Sequence, residues 1–150
     1  MKTPVRRSAF TLIEVLIVVV IMAILAATII PQFTDSTKDA KASTAVFNLH
    51  TLRSQIELYR AQHAGLAPGA ALAELLTTTN EAGTGPGPFG PYIREIPANP
   101  FTNSKVIKTI NTTPAAAGDV TSGGGGWIYN VTTGGIWIDY DTVEVNYFEK

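Results

Sequence analysis

The chain has 150 residues, with 11 Lys or Arg, 12 Asp or Glu, 2 His and no Cys. That length fits one domain with an appendage, and a formal charge of −1 excludes a general nucleic-acid binder, which carries a basic excess. The lack of Cys rules out a disulfide, a thiolate metal site and a cysteine nucleophile, while 45% hydrophobic and only 15% charged residues point to an oily core or an insoluble segment.

The surplus lies at the start. Every residue from Val15 to Ala27 is apolar, and Ile29 and Ile30 follow Thr28. Phe10 to Ile30 is about 21 residues, and a bilayer core needs about 20 residues of helix. Lys2, Arg6 and Arg7 precede the run, and the next base is Lys38. This asymmetry places the N-terminus in the cytoplasm and the remainder outside. Three readings fit: a cleaved secretory signal with Ala23-Ile24-Leu25-Ala26 near the cut, a plain signal anchor, or a span that keeps a functional acid. The third rests on Glu14. A carboxylate near the start of a spanning helix costs about 2–3 kcal/mol on insertion scales, less near the interface, so it asks for a cationic partner.

Arg7-Ser8-Ala9-Phe10-Thr11-Leu12-Ile13-Glu14-Val15 resembles the signal of type IV pilins and type II secretion pseudopilins. The resemblance implies a cut by prepilin peptidase between Ala9 and Phe10, on the cytoplasmic side, with methylation of the new amine. The residue before the cut is usually Gly in the family and is Ala9 here. It also implies that Glu14 meets the N-terminal amine of a neighbouring subunit during filament assembly. Pairing offsets two charges that are each costly in hydrocarbon, so it acts mainly through register. Phe10, Leu12, Ile13, Glu14, Val15 and Leu16 are then the assembly residues.

Pro31 interrupts the run, and similar family prolines mark a kink. Beyond it the pattern turns amphipathic. Ala42, Ala45, Val46, Leu49, Leu52, Ile56 and Tyr59 form one stripe, while Lys38, Asp39, Lys41, Arg53, Glu57 and Arg60 fill other faces. Gly65 and Pro68 read as a stop. One helix from Phe10 to Ala64 would be roughly 80 Å long, more than a core of this size can bury.

Past Leu66 the composition shifts to Gly, Pro, Ala, Thr and Asn. Residues 70–76 suit a short helix, and Glu81 to Pro91 reads as loop. Gly90-Pro91-Tyr92, Ile96-Pro97 and Asn99-Pro100 are similar to a pseudopilin segment. Val106 to Ile110 reads as a strand. Thr113 to Gly126, with four glycines at its end, lacks the Lys and Ser/Thr of a phosphate loop and reads as flexible linker. Trp127–Val131 and Ile136–Tyr140 around Thr132–Gly135 predict a hairpin. Thr142 to Phe148 is a further strand candidate. The expected fold is α+β and pilin-like: a long N-terminal helix on a small antiparallel sheet. The expected organisation is leader 1–9, transmembrane and polymerisation half-helix 10–30, amphipathic half-helix 31–64 and globular region 65–150.

Other sites are sparse. His50 and His63 lack catalytic neighbours in the sequence and read as surface or partly packed, so no enzyme activity is expected. Asp139, Asp141 and Glu144 form an acidic cluster of the kind that holds calcium. Major pseudopilins bind calcium in a C-terminal loop, but their Asp-rich, Gly-containing pattern is not recognisable here. A solvated strand end is expected instead, with no metal and no cofactor. Asn111-Thr112-Thr113 and Asn130-Val131-Thr132 match glycosylation sequons that arise readily by chance. Many pilins staple a C-terminal loop with a disulfide, which this chain cannot form, so the resemblance leans to a pseudopilin. It implies a homo-oligomeric filament with other pseudopilins, an inner-membrane assembly platform as partner, an inner-membrane and periplasmic location, and no nucleic acid. The alternative is a type IV pilus pilin or minor pilin serving adhesion, motility or DNA uptake.

Overall fold

The computed structural model describes residues 10–111, 119–120 and 125–140. The chain divides into two compact units, Met1–Asp39 and Ala40–Lys150. Helix α1 runs over Leu12–Gln62, two residues shorter at each end than the spacing predicts. Its start is fixed by a cap and its end by backbone geometry. Ala64 and Gly65 both take positive φ, and the Gly65 N–H reaches back to the Arg60 carbonyl at 2.8 Å. That left-handed exit satisfies a carbonyl the last turn would orphan.

In the second unit the predicted stripe is the core face of α1. Ala45, Leu49, Leu52, Ile56 and Tyr59 are buried, and Ala42 and Val46 are half-buried. They pack on Trp127, Tyr129, Ile136 and Ile138. Those four residues share one face of the sheet because alternate strand residues point the same way. Ile128 points to the other face and meets Ile110, Val120 and Trp137.

The sheet has three strands in the order β1 (Ile107–Ile110), β2 (Trp127–Asn130), β3 (Ile136–Ile138). β2 and β3 form the predicted antiparallel hairpin, with Tyr129 opposite Ile136. Asn130 shapes its turn: Oδ1 accepts from the Thr132 and Thr133 N–H groups at 2.8 and 3.0 Å, and Gly134 takes φ +76°. β1 differs from the expectation, because it runs parallel to β2 with Ile107 opposite Trp127. The sheet is therefore mixed. The sixteen residues between these strands are long enough for the crossover that a parallel pair needs. The strand candidate 142–148 lies outside the described residues.

Three further expectations change. Ala70–Leu75 is a 3-10 helix, with Ala71 and Leu72 at positive φ; the turn buries Leu72 and Leu75. Gly125 and Gly126 are buried where a flexible linker was expected. A Cβ on Gly126 would lie 2.5 Å from the Val106 carbonyl oxygen, so the backbone's close approach to β1 requires glycine. His63 is fully buried where a surface or partly packed residue was expected. Its ring stacks on Tyr59 at 3.7 Å. Nδ1 donates to the Tyr59 carbonyl at 2.7 Å, since a carbonyl only accepts, and Nε2 shares a hydrogen bond with the Thr79 hydroxyl at 2.8 Å.

The segment with Gly90-Pro91-Tyr92 and Asn99-Pro100 ties the unit together. The Tyr92 hydroxyl donates to Gln62 Oε1 at 2.7 Å. The Trp127 indole donates to the Pro97 carbonyl at 2.8 Å. Asn99 is buried, and its Nδ2 lies 3.1–3.4 Å from the carbonyls of Gly125, Gly126 and Asp139. Its Oδ1 accepts from the Phe101 N–H at 3.0 Å.

Candidate assembly surface

The candidate surface begins at the N-terminus of α1. Thr11 is the residue just before the helix, and Glu14 stands in its first turn. The Glu14 carboxylate accepts from the Thr11 N–H and from the Thr11 hydroxyl, both at 2.7 Å. The Glu14 N–H in turn donates to Thr11 Oγ1 at 3.3 Å. This reciprocal pair is a capping box, which satisfies backbone donors that a helix start leaves orphaned. The signal was present in the sequence as Thr-x-x-Glu before an apolar run, and the reading of Glu14 as a charge awaiting a partner passed over it.

Phe10, Leu12, Ile13, Glu14, Val15 and Leu16 all lie here and all are exposed. Exposure continues through Ile30, and among the described residues its large apolar side chains are 45–86% exposed. The helix is long and apolar enough to cross a membrane, with an 18-residue window of mean hydropathy 3.0. Its polar interruption is muted, because the Thr28 hydroxyl donates to the Leu25 carbonyl at 2.9 Å. A hydroxyl bonded within its own helix makes no further demand on the surroundings. Pro31 sits inside α1, and the helix carries on past it. Ala9 lies outside the described residues.

The acidic cluster takes a different form from the one expected. Asp139 is buried, not a solvated strand end, and its backbone pairs with Gly125 and Gly126. Asp141 and Glu144 lie outside the described residues. Among the described residues no three His, Cys, Asp or Glu side chains come together as a metal site. His50 is exposed on α1 and His63 is buried, so the fold does not join them.

Residues 5–30 match the family model described as the prokaryotic N-terminal methylation motif. The chain is 30% identical over 107 residues to the type II secretion system core protein G of Vibrio cholerae, covering 69% of this chain and 71% of that protein. It is 28% identical over 100 residues to the protein of the same name from Aeromonas hydrophila, covering 65% and 70%. Against the one from Escherichia coli it is 25% identical over 129 residues, covering 79% and 82%. No solved structure matches it. With an N-terminal methylation motif leading into an exposed apolar helix, and a relative 30% identical over 69% of the chain, the chain belongs to the type II secretion system core protein G family.

Proposed function

We propose that this protein is the structural subunit of a type II secretion pseudopilus, and that its N-terminal helix serves first as membrane anchor and then as assembly element. The observation that carries this reading is an apolar half-helix left exposed among the described residues and opened by a capped carboxylate. Prepilin peptidase cuts between Ala9 and Phe10 and methylates the Phe10 amine. That cut removes Lys2, Arg6 and Arg7, leaving eight bases against twelve acids and a side-chain charge of about −4.

The cut also creates an amine four residues before Glu14. In the filament Glu14 pairs with the amine of a neighbouring subunit. Two charges in hydrocarbon are each costly, so a subunit at the wrong axial offset strands both. The capping box gives Glu14 a partner in the meantime, so pairing exchanges bonds from a neutral N–H and hydroxyl for one from a cationic amine. Pro31 marks where the lipid-facing half ends. The C-terminal unit lies on the periplasmic side, and the filament it decorates moves proteins outward with other pseudopilins and an inner-membrane platform.

Mass spectrometry of the protein taken from membranes tests this reading. A mature chain beginning at N-methylated Phe10 is expected. A chain beginning near Thr28, or intact from Met1, contradicts the filament mechanism.

A further inference from the structure

We propose that the Asn99 side chain does in this chain what a bound calcium ion would do: it gathers the carbonyls of the C-terminal loops, so that this unit folds without a divalent cation. The resemblance to major pseudopilins implies a calcium ion among those loops. The donor set found at their junction does not fit one.

Asn99 opens a tight turn beside the sheet. Its N–H donates to the Ser104 carbonyl at 2.8 Å, and the Asn103 N–H donates to the Asn99 carbonyl at 2.7 Å. The turn fixes the Asn99 backbone and buries its side chain where the chain enters β2 and leaves β3. Nδ2 lies 3.3 Å from the Gly125 carbonyl, 3.1 Å from that of Gly126 and 3.4 Å from that of Asp139. Oδ1 accepts from the Phe101 N–H at 3.0 Å, which settles the end of the amide that carries the nitrogen.

Carbonyl oxygens that converge on one point are typical ligands of a hard cation. Here an amide nitrogen fills the point and shares its two hydrogens among three oxygens. Each oxygen also has a second donor. The Gly125 carbonyl accepts from the Thr102 hydroxyl at 2.6 Å, the Gly126 carbonyl from the Asp139 N–H at 3.2 Å, and the Asp139 carbonyl from the Gly125 N–H at 3.1 Å. A carbonyl has two lone pairs, so all three oxygens are fully used. Calcium takes about six to eight oxygens, and to reach these it must displace their donors. The Asp139 carboxylate lies against Gly125 and leaves no room there for a Cβ. Among the described residues no trio of His, Cys, Asp or Glu forms around it. The amide has no net charge, so it satisfies buried carbonyls without desolvating an ion.

Thermal unfolding of the full-length chain in detergent, followed by Trp fluorescence, tests the proposal. An ion that binds the folded state raises the midpoint as its concentration rises. The expected midpoint is the same in excess EGTA and in millimolar calcium. A midpoint that climbs with calcium, or falls on chelation, overturns the proposal. Asn99→Asp supplies the converse. It removes the shared donor, frees one lone pair on each of the three carbonyls and adds a charged oxygen. Its midpoint in EGTA is expected to lie well below that of the parent chain and to rise with calcium. A variant that melts like the parent in EGTA, or that ignores calcium, also overturns the proposal. If Asn99→Asp does not fold, the parent chain with and without calcium still decides. No outcome bears on Glu14 or on cleavage before Phe10, so the pseudopilus reading is tested separately.

Discussion

Thr11 and Glu14 hold each other at the start of α1, the carboxylate on the Thr11 N–H at 2.7 Å and the Thr11 hydroxyl beneath the Glu14 N–H at 3.3 Å. Glu14 is therefore both a cap and the one ionisable side chain of the apolar half-helix. Two substitutions separate those roles.

Glu14→Gln keeps an oxygen to accept from Thr11 but loses the charge. Glu14→Ala loses both, at a cost to the helix start of about 1 kcal/mol. Both variants are expected to insert and to be cut before Phe10. Both are expected to assemble poorly, because a hydrogen bond to a charged group is worth about 1.5–3 kcal/mol, roughly a tenfold effect or more on a subunit equilibrium. The measurement is the yield of self-crosslinked copies in the cell envelope, beside the mass of the mature chain. Normal assembly of Glu14→Gln would leave Glu14 as a cap alone.

Asn99 supplies the buried donor for three carbonyls from two loops. Asn99→Ala is expected to destabilise the C-terminal unit by about 1–3 kcal/mol, since the Phe101 N–H loses its acceptor and the three carbonyls, each still held by one other donor, lose Nδ2. His50→Ala, at an exposed helix position, is expected to change stability by no more than about 0.5 kcal/mol. Urea unfolding followed by Trp fluorescence compares the two directly, because Trp127 lies in the core.

Leu49 and Phe47 stand on opposite faces of α1, one buried and one exposed. Leu49→Ala should cost about 2–5 kcal/mol through lost contacts and a cavity. Phe47→Ala should leave stability within about 0.5 kcal/mol, although the residue is larger. Thermal melts of the two variants check the contrast.

Burial pushes the Tyr129 phenol well above its ordinary value, and Glu74 nearby adds to the effect. The hydroxyl donates to the Pro68 carbonyl at 2.7 Å. A raised pKa on an acid means the folded state holds the proton more tightly. That stability is fully present below the ordinary phenol value of about 10 and is lost as pH rises toward the raised value. Tyr59 and Tyr92 are shifted the same way by burial. The melting temperature should therefore fall as pH rises above about 10. Tyr129→Phe should lose about 1 kcal/mol at neutral pH and show a shallower alkaline fall.

Much of the fold was legible in the row. The stripe from Ala42 to Tyr59 and the Trp127–Ile138 hairpin are periodic patterns, and burial enforces such patterns directly. The direction of β1 was not legible, because Val106 to Ile110 reads the same whether its partner runs beside it or against it. The 3-10 turn was hidden because Ala71 and Leu72 carry no mark of the positive φ they adopt. The depth of His63 depends on Thr79 and Phe89 arriving from later stretches. Within the assembly surface the apolar run and Glu14 were plain, whereas the cap made by Thr11 was overlooked once Glu14 had been assigned to a neighbour.

The most direct test of the central claim is the protein content of the culture medium when the gene for this chain is deleted. The pseudopilus reading predicts that exported proteins disappear from the medium and accumulate in the periplasm, and that the intact gene restores them while Glu14→Ala does not. An unchanged set of exported proteins, with loss of long surface filaments instead, would contradict it.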